Sequence, residues 1–227
     1  MMDEKVYQAF LNTGKICTDT RKDVKGSLFF ALKGDRFDGN TYVADALSKG
    51  ASYAVLDDES YAVGEGCLLV DDTCTALGRL AARHRRNYNI PLLALTGTNG
   101  KTTTKELINA VLSTSYNCIS TQGNFNNEIG LPLTLLKISS QTQIAVLEMG
   151  AAKAGDINYL CNIAMPSSGL ITNIGKAHLQ GFGSPENVIK VKSELYNYLL
   201  NHNGVIFQNI SNTILLDLTP SVDVLSY

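Results

Sequence analysis

The sequence lacks most of the features that would assign a chain to a specialised class. No stretch approaches the ~18 apolar residues of a membrane-spanning helix, and the N-terminus carries Asp3 and Glu4 where a secretory leader would carry basic residues before an apolar run. Both absences point to a cytoplasmic chain without membrane insertion. The five cysteines, Cys17, Cys67, Cys74, Cys118 and Cys161, are odd in number and never spaced C-x-x-C, which argues against a disulfide framework and a zinc site and leaves reduced core thiols. A formal net charge of -2 offers no field that would attract nucleic acid or an anionic membrane. The densest basic run, Arg83-His84-Arg85-Arg86, closes a helix-like stretch, where cations complement the helix dipole. There is no internal repeat and no low-complexity segment.

What remains is a chain of 227 residues, 44% hydrophobic and 18% charged, long enough for one large or two small cored domains. Up to about Asn89 it reads as a small α/β unit. Ser27–Leu32, Ser52–Leu56 and Cys67–Val70 are apolar strands, and Thr41–Lys49 and Thr73–Arg86 are helical. Asn89-Ile90-Pro91 supplies a break, so the expected domains are residues 1–89 and 90–227. In the second, the apolar runs Leu92–Thr96, Ile144–Leu147, Gly169–Ile174 and Val205–Phe207 alternate with helix-like stretches at Thr103–Ser113, Asp156–Asn162 and Pro185–Leu200. That alternation predicts a mostly parallel sheet with helices on both faces and ligands at the carboxyl ends of its strands. Ser211–Tyr227 shows no clear period and is unassigned, and the sheet pattern stops unfinished.

The strongest chemical signal is Thr96-Gly97-Thr98-Asn99-Gly100-Lys101-Thr102-Thr103-Thr104, which leaves an apolar strand and enters a helix-forming run. Glycines let backbone amides turn inward, and the helix N-terminus adds positive potential. Lys101 can reach outer phosphates, and the Thr102 hydroxyl can ligate magnesium. The general phosphate-loop pattern places a glycine where this chain has Leu95, so the loop is a shorter variant, G-T-N-G-K-T. Its candidate nucleotide-binding residues are Thr98, Asn99, Gly100, Lys101, Thr102 and Thr103. Glu148 ends the run Ile144–Leu147 and should emerge at the carboxyl edge of the sheet near this loop, where a carboxylate suits magnesium.

Gly97–Thr103 resembles the ATP loop of the Mur ligase family, and Gly100-Lys101-Thr102-Thr103 departs from the G-K-G-S continuation usual in the folate branch of that superfamily. Further blocks fall in the family's order: Thr121–Thr134, Leu147–Ala151 with Gly155-Asp156-Ile157, Asn173–Leu179 with Gly181–Ser184, and Val191–Tyr196. Upstream, Asp19-Thr20-Arg21, Gly26–Gly34 and Phe37–Asn40 are similar to the family's uridine-nucleotide domain. The likeness runs from about Thr18 to Asn209 and is strongest to the branch that adds D-alanyl-D-alanine.

The resemblance implies a small N-terminal α/β uridine-nucleotide domain followed by an incomplete P-loop-type domain, with the family's C-terminal domain absent. It implies an ATP-dependent ligase in which the terminal carboxylate of UDP-N-acetylmuramoyl-tripeptide takes the γ-phosphoryl group of ATP. The amine of D-alanyl-D-alanine then displaces phosphate from that acyl phosphate. Lys101, His178 and Lys192 are the implied catalytic residues, and Thr102, Glu148, His178 and Lys192 the implied magnesium ligands. His178 read from the residues alone is a loop histidine. Lys192, carbamylated in the family's pattern, is by composition a helix lysine, with Lys190 the competing position. Asn124, Asn126 and Asn127 are implied contacts to the muramoyl substrate, although asparagine also favours turns. Thr20, Arg21, Asp38, Gly39 and Asn40 are implied contacts to the uridine nucleotide, with a surface ion pair the other reading of Arg21. Two further functions stay open: a sibling ligase adding a single amino acid, and a Mur-like module that holds nucleotide without ligating. As an incomplete piece, the chain is expected to bind the uridine nucleotide but not to ligate.

Overall fold

The computed structural model describes residues 2–34, 36–175, 184–218 and 224–226. The chain forms two compact units, Met1–Leu80 and Ala81–Tyr227. The division falls inside a helix rather than at the Asn89-Ile90-Pro91 break. That helix, α3 (Thr73–Arg86), commits its last turn to the second unit. His84 Nε2 pairs with the Ile138 carbonyl at 2.8 Å, and the Arg85 guanidinium donates to the carbonyls of Ala164, Tyr88 and Ile90.

In the first unit, α1 (Met2–Thr13) was not foreseen from the sequence. It buries Val6, Tyr7, Ala9 and Phe10 on one face, carries Asp3 and Glu4 in its first turn, and ends where Gly14 at φ +59° donates to the Phe10 carbonyl. A parallel sheet follows, of order β1 (Ile16–Cys17), β2 (Leu28–Phe30), β5 (Tyr53–Leu56), β6 (Cys67–Leu69). Leu28 lies opposite Ile16 and Tyr53, and Ala54 opposite Cys67. Between β2 and β5 the chain makes an antiparallel hairpin, β3 (Lys33–Gly34) with β4 (Phe37–Asp38). A 3-10 turn (Gly39–Tyr42) then runs into α2 (Val43–Ser48). The helical run therefore begins earlier than Thr41, because the Asp38 carboxylate caps the Asn40 N–H at 2.9 Å. Phe29, Ala31, Val43, Ala46, Ala54 and Leu56 form the core on one side of the sheet.

The second unit is a six-stranded sheet, all parallel. Its order is β12 (Val224–Ser226), β11 (Val205–Gln208), β10 (Ser168–Ile171), β7 (Leu92–Thr96), β9 (Ile144–Glu148), β8 (Cys118–Ser120). The connecting helices are α4 (Lys101–Leu112), α5 (Gly130–Leu135), α6 (Asp156–Ala164), α7 (Pro185–Asn201) and α8 (Thr213–Leu216). Strand residues alternate between faces. Leu93, Leu95, Val146 and Leu170 pack with Ile108 and Leu112 of α4, whereas the missing side chain of Gly169 leaves room for Leu195 and Leu199 of α7. Helices therefore cover both faces, as a parallel sheet requires. The apolar run Gly169–Ile174 leaves the sheet at Ile171, since Thr172 and Asn173 turn away to hold a neighbouring loop. The stretch without a period supplies α8 and the edge strand β12. Among the described residues no helix is long and apolar enough to cross a membrane.

Candidate active site

The glycine loop joins β7 to α4. Thr96, fully buried, donates its hydroxyl to the Met149 carbonyl at 2.8 Å and fixes the strand end. Gly97 follows at φ +145°, and a Cβ there would lie 2.0 Å from Thr172 Oγ1. Glycine is the residue this position tolerates. The segment after β10 then clamps the loop. Thr98 N–H donates to the Asn173 carbonyl at 2.9 Å and Asn99 N–H to Asn173 Oδ1 at 3.1 Å, while Thr172 Oγ1 and Asn173 Nδ2 both donate to the Asn99 carbonyl. Two amides counted among the phosphate-binding candidates, those of Thr98 and Asn99, thus already shape the loop. The amides of the first turn, Lys101 to Thr103, have no acceptor within α4 because any helix N-terminus leaves them so. Gly100, at φ +77°, caps that turn. Lys101 bends back across the loop, its Nζ donating to the carbonyls of Gly97 (2.8 Å) and Thr98 (3.2 Å).

Glu148 ends β9 beside this loop and is 2% exposed. Its Oε2 accepts the Thr102 hydroxyl at 2.9 Å and its Oε1 accepts Asn126 Nδ2 at 2.7 Å. Two hard oxygens, from Thr102 and Glu148, therefore meet at the mouth of the loop, a donor set that fits magnesium. Among the described residues no three His, Cys, Asp or Glu side chains gather, so the other ligands would come from phosphate oxygens and water. His178 lies outside the described residues. On α7, Lys192 is buried and Lys190 exposed, so only Lys192 faces the interior. Burial pushes its ammonium down to about 8 and the charge of Lys101 adds to the fall, against Glu194 and Asp156.

The three asparagines separate. Asn126 holds Glu148 and accepts Gly150 N–H on its carbonyl at 2.7 Å; Asn127 Oδ1 accepts the N–H groups of Ile129 and Gly130 ahead of α5; Asn124 stays exposed. Sequence reasoning missed Lys105. It is 0% exposed, and its Nζ lies 2.5 Å from the Thr121 carbonyl and 2.7 Å from Glu106 Oε1. The signal was present: Lys105 shares a face of α4 with Ile108 and Leu112, where an apolar residue would be ordinary.

In the first unit a separate cavity of about 480 Å³ opens at the carboxyl ends of β1 and β2, a size that suits a small molecule. Thr20, Arg21 and Gly39 line it, with Asp19, Phe37 and Tyr42. Arg21 forms a two-pronged pair with Asp19 at 2.8 and 2.9 Å, and this pair holds the Asp19 carboxyl well below the usual carboxylate range. Asp38 and Asn40 are not among its lining residues. Asn40 is fully buried and ties Asp38 to Asp57 through its Nδ2, at 2.8 Å to each. The two residues brace the turn that carries Gly39, where a Cβ would lie 2.3 Å from the Leu32 carbonyl oxygen.

A family model described as the Mur ligase middle domain matches residues 95–226, and one described as the Mur ligase family catalytic domain matches residues 15–85. The chain is 45% identical over 199 residues to the UDP-N-acetylmuramoyl-tripeptide–D-alanyl-D-alanine ligase of Haemophilus influenzae, covering 86% of this chain and 43% of that protein. It is 45% identical over 195 residues to the ligase of the same name from Bacillus subtilis, covering 85% and 42%. Among solved structures, MurF from Acinetobacter baumannii superposes with a TM-score of 0.88 at 33% identity, over 99% of this chain and 52% of that one. MurF ligase from Thermotoga maritima in complex with ADP gives 0.87 at 31%, over 95% and 50%. The chain spans less than half the length of these curated relatives and about half that of the solved chains.

Proposed function

Because the chain belongs to the Mur ligase family, we propose that it supplies the nucleotide-handling parts of an ATP-dependent ligase joining D-alanyl-D-alanine to UDP-N-acetylmuramoyl-tripeptide through an acyl phosphate. The observation that carries this reading is the pair of oxygens, Thr102 Oγ1 and Glu148 Oε2, 2.9 Å apart at the mouth of a glycine loop that opens a helix. A phosphate chain accompanied by magnesium is the ligand such a place accommodates.

In this reading the first-turn amides of α4 receive phosphate oxygens, and Lys101 exchanges the carbonyls of Gly97 and Thr98 for them. Thr102 and Glu148 hold magnesium, whose charge offsets that which develops on the transferring phosphoryl group. Positioning and electrostatics account for most catalysis of this kind, so no nucleophilic side chain is needed. His178 is proposed as a ligand of a second magnesium. Lys192 is proposed as carbamylated, supported by its burial and lowered ammonium, since only a free amine takes up carbon dioxide. Thr20, Arg21 and Gly39 receive the uridine nucleotide in the cavity of the first unit, and Asp38 and Asn40 support that wall. Asn126 serves Glu148, and the muramoyl contact falls to Asn124 and Asn127.

Isothermal titration of the chain with UDP-N-acetylmuramoyl-tripeptide, against the dipeptide precursor, tests the assignment. Tighter binding of the tripeptide is the expected result. Equal binding would remove the D-alanyl-D-alanine reading and favour a sibling ligase, and no binding of either would refute the uridine-nucleotide role of the cavity.

A further inference from the structure

Lys105 has no part in the chemistry described above, yet it is a fully buried cation within one helical turn of Thr102. A buried ammonium is costly unless its donors are satisfied, and two of its contacts are with Thr121 O and the half-exposed Glu106. Thr121 is itself fully buried. Its hydroxyl accepts the Glu148 backbone N–H at 2.9 Å, and the Glu148 carboxylate accepts the Thr102 hydroxyl at 2.9 Å. Thr102 and Lys105 stand at i and i+3 on α4, which places them on one face. The contacts therefore close a ring: Lys105 to Thr121, Thr121 to Glu148, Glu148 to Thr102, and back through one turn of helix.

We propose that Lys105 is a positioning residue for the cation site: by gripping Thr121 it fixes the end of β9, and with it the distance between Glu148 and Thr102. The inference rests on the proposed binding of magnesium nucleotide at this loop. If the lysine served only to fill space, methionine of similar length would leave the magnesium requirement unchanged, because the partner Glu106 is exposed and such a pair contributes little net stability. If it positions Glu148, removing the ammonium frees the Thr121 carbonyl and loosens the strand end while leaving every proposed phosphate and magnesium donor in place. Groups that orient a metal ligand from behind typically control affinity about 10- to 100-fold.

The test is calorimetric titration of the chain with ADP at a series of magnesium concentrations, comparing Lys105→Met and Thr121→Val with the unaltered protein. Both variants are expected to bind ADP without magnesium as the unaltered chain does, and to need about 10- to 100-fold more magnesium for the added affinity that magnesium confers. In the ligand-free protein, hydrogen exchange at the Glu148 amide should accelerate relative to Val146 in the same strand. An unchanged magnesium requirement in Lys105→Met would overturn the proposal while leaving nucleotide binding intact, whatever Thr121→Val shows. Failure of the unaltered chain to bind ADP, with or without magnesium, would overturn both. Should Lys105→Met not fold, Lys105→Leu decides by the same magnesium titration, since Thr121→Val keeps the carbonyl that Lys105 holds.

Discussion

The glycine loop of the second unit and the cavity of the first both lie at the carboxyl ends of parallel strands, but they keep their shapes by different means. The loop is held by backbone groups and by polar side chains from the segments beside it: Thr172 and Asn173 after β10, Thr102 on the first turn of α4, the buried Glu148 at the end of β9, and Asn126. The cavity has a buried floor, with Phe29 and Leu32, but much of its rim is side chains that face water. Phe37 is 58% exposed and Tyr42 47%, and the Arg21 side chain is more exposed still. In the proposed reading a phosphate chain would be met by amides and one lysine in fixed geometry. A base, a sugar and a peptide would be met by scattered side chains whose positions depend on the brace behind them. The first kind of site leaves a contiguous motif, and the second does not.

The sharpest way to break this contrast is at Gly97. Gly97→Ala puts a methyl into Thr172 Oγ1 at a left-handed backbone position. Urea unfolding should show the second unit destabilised by about 3 kcal/mol, with ADP binding lost and binding of UDP-muramoyl peptide by the first unit retained. Lys101→Ala should leave stability unchanged and weaken ADP affinity roughly 10- to 100-fold, the value of one charge-assisted contact to phosphate; calorimetry measures it. Arg21→Ala is expected to weaken UDP-muramoyl peptide binding about tenfold and to leave ADP binding untouched. A loss at both sites would contradict the separation of roles.

The smallest effect concerns the brace of the first unit. Asp57, with a side chain 5% exposed, accepts from Lys33, Asn40 and Thr73. Burial alone would push its carboxyl up, but those hydrogen bonds together hold it below the ordinary value of 3.8. A carboxyl depressed in the folded state stabilises above its unfolded value, and that contribution is lost as pH falls through the folded value. Asp57→Asn should therefore cost about 1 kcal/mol near neutrality and give a shallower loss of stability below about pH 4, read by thermal melts across pH.

Much of the second unit was legible in the sequence because a fully buried parallel strand is an unbroken apolar run: Leu92–Thr96 and Ile144–Leu147 appear as strands at nearly those bounds. The loop was legible for a different reason, since its glycines and lysine must be adjacent in sequence to act together. The misses have physical causes as well. In α1 the apolar residues are few, with Gln8 between them in sequence, and burial of the Val6, Tyr7, Ala9 and Phe10 face decides its helicity. Thr172 and Asn173 continue an apolar run in sequence but are drawn out of the sheet by hydrogen bonds to Asn99, a residue far away along the chain. Asn126 reads as turn chemistry until Glu148 is placed against it.

The sequence by itself determined the strand–helix alternation, the glycine loop, its lysine and hydroxyl, and the carboxylate at the end of β9, because each depends on neighbours within a few residues. Tertiary structure alone decided that the amides of Thr98 and Asn99 shape the loop and that Asn40 is a buried brace. It also decided that Lys192 and not Lys190 faces inward, and that Lys105 is locked behind Glu148. These outcomes are hydrogen bonds and burial between segments distant in the chain, and a polar side chain's role there is set by which partner the fold brings within about 3 Å.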